Sequence, residues 1–199
     1  NIYKRYWPGP QNIEVNGIEW EMPDYAGYNV LRVQDVLVLK ITEWNNWKRP
    51  IHFALTVPPD NRIGIDNYLE VTGMTLTLTN QINTRINPDK IEHLLYNVFS
   101  LRGILDPRVY KDENTLRLLG NYRAIFAYLS DFYAENNKIE KLKTLVDWGQ
   151  SKIGVDWHTL YINADRLYEM GRPDWAGIYM EAAAKGIETV KDTDPNATP

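Results

Sequence analysis

Two stretches of this chain, FAYLSDFYAENNKIEKLKTLVDWG (126–149) and LYINADRLYEMGRPDWAGIYMEAA (160–183), superimpose at an offset of 34 residues. Phe126, Ser130, Tyr133, Asn137, Leu142, Val146 and Gly149 then fall on Leu160, Ala164, Leu167, Gly171, Ala176, Met180 and Ala183. Large and small residues recur at helical spacing on both sides of a central turn residue, the pattern of a helical hairpin used twice.

The punctuation divides the region into four helices. Asp112 or Asn114 caps one that runs to about Asn136, and Lys138 opens the next, to about Ser151. Gly154 interrupts, Asp156 caps a helix ending at Gly171, and Arg172-Pro173-Asp174 opens the last, to about Val190. Short turns make each pair antiparallel. A period of about 34 residues is that of tetratricopeptide (TPR) repeats. Leu142 stands where such a hairpin usually carries a small residue, so the first copy is the degenerate one. Generic four-helix packing with accidental periodicity is the competing reading. Two repeats are few for a free solenoid, so the upstream residues should cap the stack.

Upstream, Pro8, Gly9, Pro10, Gly17, Pro23 and Gly27 predict irregular or short extended structure over 1–31. The aromatics Tyr3, Tyr6, Trp7, Trp20, Tyr25 and Tyr28 should tack that segment to the body. Val33, Val36, Leu37, Ile41 and Trp44 recur at helical spacing and predict an amphipathic helix ending before Pro50. Residues 51–55 (IHFAL) read as a buried strand and 74–79 (MTLTLT) as a half-buried one. Asp66 is the expected cap of a short helical turn ending at Gly73, and Asn87-Pro88-Asp89 starts a helix to about Phe99. The expected fold is α+β, mainly α: a small two-stranded α+β unit over 1–85, a TPR-like helical domain over 86–191, and a flexible tail over 192–199.

Composition narrows the function. The 199 residues carry net charge −4, with no basic stripe, which argues against nucleic acid and anionic lipid as partners. There are no cysteines, so disulfides, thiolate metal sites and a Cys nucleophile are excluded. The longest apolar run, Ala124 to Leu129, is far short of a membrane span. The chain opens on Asn1 without a signal peptide and reads as an excised piece of a longer protein.

The stretch 32–39 (RVQDVLVL), then NNWKRPIHFA over 45–54, continues as GIDNYL over 64–69 and Gly73-Met74. This resembles the soluble C-terminal region of large bacterial multi-pass membrane proteins of the GT-C glycosyltransferase type, relatives of the protein O-mannosyltransferases. In that family an Asn-x-Trp-x-Arg-Pro-Ile-(Tyr/His)-Phe block precedes a Gly-Leu-x-x-Tyr-Leu block, and a TPR-like tail follows. The specific motifs cover roughly 32–79. The family's spanning part and an acidic Gly-Asp-Asn-Asp-type block are missing here, so the resemblance transfers no catalytic residue. It implies a membrane-attached parent, with this domain outside the cytoplasm (periplasmic), touching the membrane only through the missing upstream part.

Trp44, Trp47, Arg49, His52 and Tyr68 form the candidate binding set. Aromatics beside Arg suit a sugar face, a carboxylate or a phosphate. Alternatively Pro50 stops the helix, Trp47 and Phe53 pack in the core, and Arg49 pairs with Asp35 or Glu43. Arg32 and Asp35 suit an ion pair or a cap. Asp60, Asp66 and Glu70 could mimic a glycosidase carboxylate pair, although caps and solvated charges explain them more simply. His52, His93 and His158 lack metal-ligand spacing, and phosphate-loop and nucleophile-elbow patterns are missing. No cofactor and no metal is expected. The chain reads as a non-catalytic accessory domain that binds a protein partner or positions a glycan acceptor. The alternative is a carbohydrate-binding or carbohydrate-processing module built on 44–70.

Overall fold

Val15-Asn16-Gly17-Ile18 turns the chain sharply near its start. Strands β2 (Asn12–Val15) and β3 (Ile18–Glu21) pair antiparallel across it. Asn16 and Gly17 both take positive φ, 52° and 83°, as a two-residue hairpin turn of this handedness requires. Ile13, Ile18 and Trp20 are buried on one face. The computed structural model describes residues 6–8, 12–24, 30–82 and 85–193. The chain divides into two compact units, Asn1–Asn97 and Val98–Pro199.

The N-terminal unit holds more strand than its sequence suggests. Strand β1 (Tyr6–Pro8) pairs antiparallel with β4 (Val30–Arg32). Strands β5 (His52–Ala54), β6 (Leu69–Val71) and β7 (Thr75–Leu78) form an antiparallel sheet in the order β5-β7-β6. The two expected strands are therefore joined by five more among the described residues, and four of these are the short extended pieces that the expectation of irregular or short extended structure over 1–31 allowed. Trp20 is buried, and its indole Nε1 donates to Ile63 O at 2.8 Å. Tyr3, Tyr25 and Tyr28 lie outside the described residues, as do the side chains of Tyr6 and Trp7.

Helix α1 (Val33–Asn45) lies where the periodicity placed it but faces the other way. Val33, Leu37, Ile41 and Trp44 are exposed, while Asp35 and Thr42 are buried. The buried side is polar because it serves the helix's own ends. Asp35 closes the N-terminus onto Arg32, and Asn16 covers the C-terminus at Thr42. The short turn after Arg62 is a 3₁₀ segment, Ile65–Tyr68, preceded by Gly64. Asp66 is not its cap: it sits inside the turn and pairs with Arg62 at 2.5 Å. Helix α2 (Pro88–His93), capped by the Asn87 side chain, runs on as a π turn over Leu94–Val98. Ile91 and Leu95 are buried, and Val71 bridges to Ile86. The compact division falls at Asn97/Val98, whereas the sequence expectation drew its line at 85/86.

In the C-terminal unit, α3 (Glu113–Glu135) and α4 (Ile139–Trp148) form one hairpin, and α5 (Trp157–Glu169) and α6 (Pro173–Thr193) the other. Asp112 and Asp156 cap α3 and α5, each accepting from the third following N–H at 2.7 Å. A π turn, Gly149–Ile153, extends α4, and Gly154 ends it with φ +60°. Helix α6 reaches Thr193; the remainder of the expected tail lies outside the described residues.

The hairpins repeat in detail. Lys138 N donates to Tyr133 O at 2.9 Å and Arg172 N to Leu167 O at 2.9 Å. Asn137 and Gly171 sit at the left-handed turn position, with φ 56° and 73°, so both first helices end in the same left-handed cap. Leu142 and Ala176, the equivalent pair on the second helices, are both buried. Only Val146 and Met180 part company, the first buried and the second exposed.

Candidate functional site

The exit from α1 is built by side chains that grip backbone. Asn45 brackets Arg49: its Nδ2 donates to Arg49 O at 2.6 Å, and its Oδ1 accepts from Arg49 N at 3.2 Å. Between them Asn46 and Trp47 adopt φ of 43° and 59°. A bulky residue in that region is strained and needs outside support. Trp47 finds it in the β2–β3 turn, where its Nε1 donates to Asn16 O at 2.8 Å. Asn16 returns the contact, its Nδ2 donating to Thr42 O at 2.7 Å and Glu43 O at 3.3 Å. Those carbonyls belong to the last turn of α1, where Thr42 O also accepts from Asn46 N at 3.2 Å and the Asn16 amide adds a second donor. The Asn-x-Trp portion of the motif is thus a backbone clasp.

Arg49 takes no side-chain part in that clasp. Asp35 pairs with Arg32 and Glu43 with Lys40, so the expected Arg49 ion pair to either acid does not form, and Arg49 is exposed. Arg49→Ala should change stability by no more than about 0.5 kcal/mol, as at an exposed site without partners. Chemical unfolding of the variant checks this.

Tyr68 leaves the candidate surface altogether. It is 6% exposed, and its hydroxyl donates to Glu19 O at 2.9 Å while accepting from Glu19 N at 3.3 Å. Both backbone groups of Glu19 are met by one phenol, which pins the hairpin to the 3₁₀ turn. Trp44, by contrast, is 74% exposed on the apolar stripe of α1. His52 is exposed on β5 opposite Thr77, with Nδ1 2.9 Å from Thr77 Oγ1. Thr77 is paired in turn with Glu70 across the β6–β7 ladder, and Thr72 Oγ1 lies 2.5 Å from Thr77 Oγ1. The five candidates therefore divide into two backbone anchors, the buried Tyr68 and the still exposed Trp47, and three exposed side chains without that role, Trp44, Arg49 and His52.

The three acids likewise make local contacts, Asp60 through its backbone. Asp60 offers its backbone carbonyl to Arg32, Asp66 pairs with Arg62, and Glu70 accepts from Asn87 Nδ2 at 3.4 Å. Among the described residues no group of three or more His, Asp or Glu could hold a metal ion. No described helix is long and apolar enough to cross a membrane.

Open clefts occur in the helical unit, which sequence reading of 44–70 did not single out. One lies between α3 and α5, lined by Asp131, Ala134, Glu135, Arg166, Leu167 and Met170. Another lies between α5 and α6. Tyr133, Trp175 and Tyr179 are buried, whereas Tyr128, Tyr161 and Tyr168 are exposed. Burial pushes the Tyr179 phenol up to about 12, against the opposing influence of Ser130 and Arg166.

A family model described as TMEM260-associated domain 2 matches residues 8–93. The match spans all five candidate residues and stops before the helical hairpins. No curated protein and no solved structure matches the chain.

Proposed function

We propose that this chain is a non-catalytic accessory region of a GT-C-type, glycosyltransferase-like membrane protein, and that it binds a protein partner or positions an acceptor. The observation that carries this reading is the fate of the motif residues. Asn45, Trp47 and Tyr68 are committed to backbone of their own unit, which suits a scaffold better than a reaction centre. The family match and the motif resemblance fall on the same residues, which supports the link to a multi-pass parent. Attachment to the membrane would come through other parts of that parent, with this region outside the cytoplasm. The hairpins are TPR-like on this reading, as matching caps and burial at the 34-residue offset support.

The test is incubation of the purified chain with lipid-linked or nucleotide-linked mannose and a polypeptide acceptor. No product is expected, and multiple turnovers by the chain alone would overturn the proposal. A second reading, direct carbohydrate contact, is favoured by the exposure of Trp44, since an uncovered indole can stack on a sugar face. Fluorescence titration with mannosides would then show saturation that Trp44→Ala abolishes.

A further inference from the structure

We propose that the open end of the helical unit, between α5 and α6, docks an amphipathic helix of a protein partner carrying a basic residue with apolar residues one and four positions later. This deepens the accessory-module reading and rests on it.

The argument is continuity with an interface the chain already makes. On the first hairpin, Asp131, Ala134 and Glu135 of α3 face Arg166 and Leu167 of α5 and Met170 at its C-terminal end across a shared cleft, and Arg166 pairs with Asp131. At the repeat offset of 34, Asp165, Tyr168 and Glu169 stand in the places of those three α3 residues. Nothing among the described residues plays the part of α5 against them.

The cleft there is lined by Tyr161, Ala164, Asp165, Tyr168, Ala176 and Met180 and is open to solvent, with a volume of about 170 Å³. Its floor is small and buried, Ala164 and Ala176 standing where the first hairpin has Ser130 and Leu142. Its rim is large and uncovered: Tyr161, Met180 and Tyr168, the last 68% exposed. Aromatic rims around a small floor hold an inserted apolar side chain well. Asp165 forms no ion pair among the described residues, whereas its equivalent, Asp131, has Arg166. The occupant's pattern is therefore that of α5 itself, Arg166-Leu167 and Met170. A second copy of this chain fits poorly, because the cleft has no basic lining residue and two copies would bring their Asp165 carboxylates together.

The probe is a fluorescently labelled, stapled peptide with the sequence of residues 156–170, titrated against the full chain by anisotropy. Saturable binding is expected. Asp165→Arg should weaken it about tenfold, and Ala176→Leu, which fills the floor as Leu142 does, should weaken it about as much. A peptide with Glu in place of its Arg should bind Asp165→Arg better than the native chain. Absence of saturable binding, or binding indifferent to both substitutions, overturns the proposal. Binding lost in Trp44→Ala but kept in Asp165→Arg overturns this site and leaves the accessory reading standing. Sugar transfer by the chain would instead strike at that reading. Self-association abolished by Asp165→Arg would assign the face to a second copy and overturn the partner-helix proposal.

Discussion

Asp35→Ala should destabilise the N-terminal unit by about 3 kcal/mol, the lower part of the range for breaking a buried ion pair. The carboxylate is 0% exposed and grips Arg32 at two points, Oδ2 to Nε and Oδ1 to Nη2, each 3.0 Å. It also accepts from Arg32 N at 2.8 Å, closing the first turn of α1 as a capping box. Removing it strands a guanidinium whose side chain is only 19% exposed and frees a backbone donor at the helix start. The bond from Arg32 to Asp60 O does not depend on Asp35 and keeps the cost from rising higher. Asp35→Asn keeps the shape and one acceptor and should lose about half as much. Replacing both partners together, as Arg32→Met with Asp35→Leu, should recover much of the loss, since the desolvation of two charges is then avoided. Urea unfolding of the four proteins measures all three differences. A loss below about 1 kcal/mol for Asp35→Ala would show that the pair is dispensable.

The same residues mark what the sequence could and could not disclose. The i, i+3 spacing of Arg32 and Asp35 is legible locally, as are the caps Asp112 and Asp156 and both hairpin turns, because each is decided within about four residues. The Asn16–Gly17 hairpin was equally legible, since Asn-Gly between Val15 and Ile18 is a strong hairpin signal, but the surrounding prolines and glycines masked it. The orientation of α1 was not. Periodicity locates an apolar stripe without saying which side the rest of the fold occupies, and here Asn16 and Arg32 claim the polar side. Trp47 and Tyr68 looked like binding residues because their partners, Asn16 and Glu19, lie 31 and 49 positions away. The open cleft of the second hairpin was half legible. The offset of 34 names its residues, but only the folded structure shows that α5 fills the first surface while no described residue covers the second.

That repeat also predicts how the two hairpins distribute volume. Gly149 is buried against Phe126, and a Cβ built on it would come within 2.7 Å of the Phe126 ring and 3.1 Å of Val155 Cγ2. Its φ of −58° is helical, so the absent side chain answers to space and not to backbone geometry. In the second hairpin the same two positions hold Leu160 and Ala183, both buried: a smaller ring position is matched by a larger neighbour. Phe126→Ala should therefore cost about 3–5 kcal/mol, the cavity being lined on one side by a glycine that cannot fill it. Gly149→Ala should cost about 1–3 kcal/mol by overpacking against a fully buried ring, although better helix propensity offsets as much as about 1 kcal/mol of that. Phe126→Leu combined with Gly149→Ala recreates the pairing of the second hairpin and should lose clearly less than Phe126→Leu and Gly149→Ala summed, with a coupling of about 1 kcal/mol or more. Thermal or urea unfolding of the complete cycle decides it. Additive losses would mean that the two positions do not share one packing volume, and the equivalence of the hairpins would then stop at their turns.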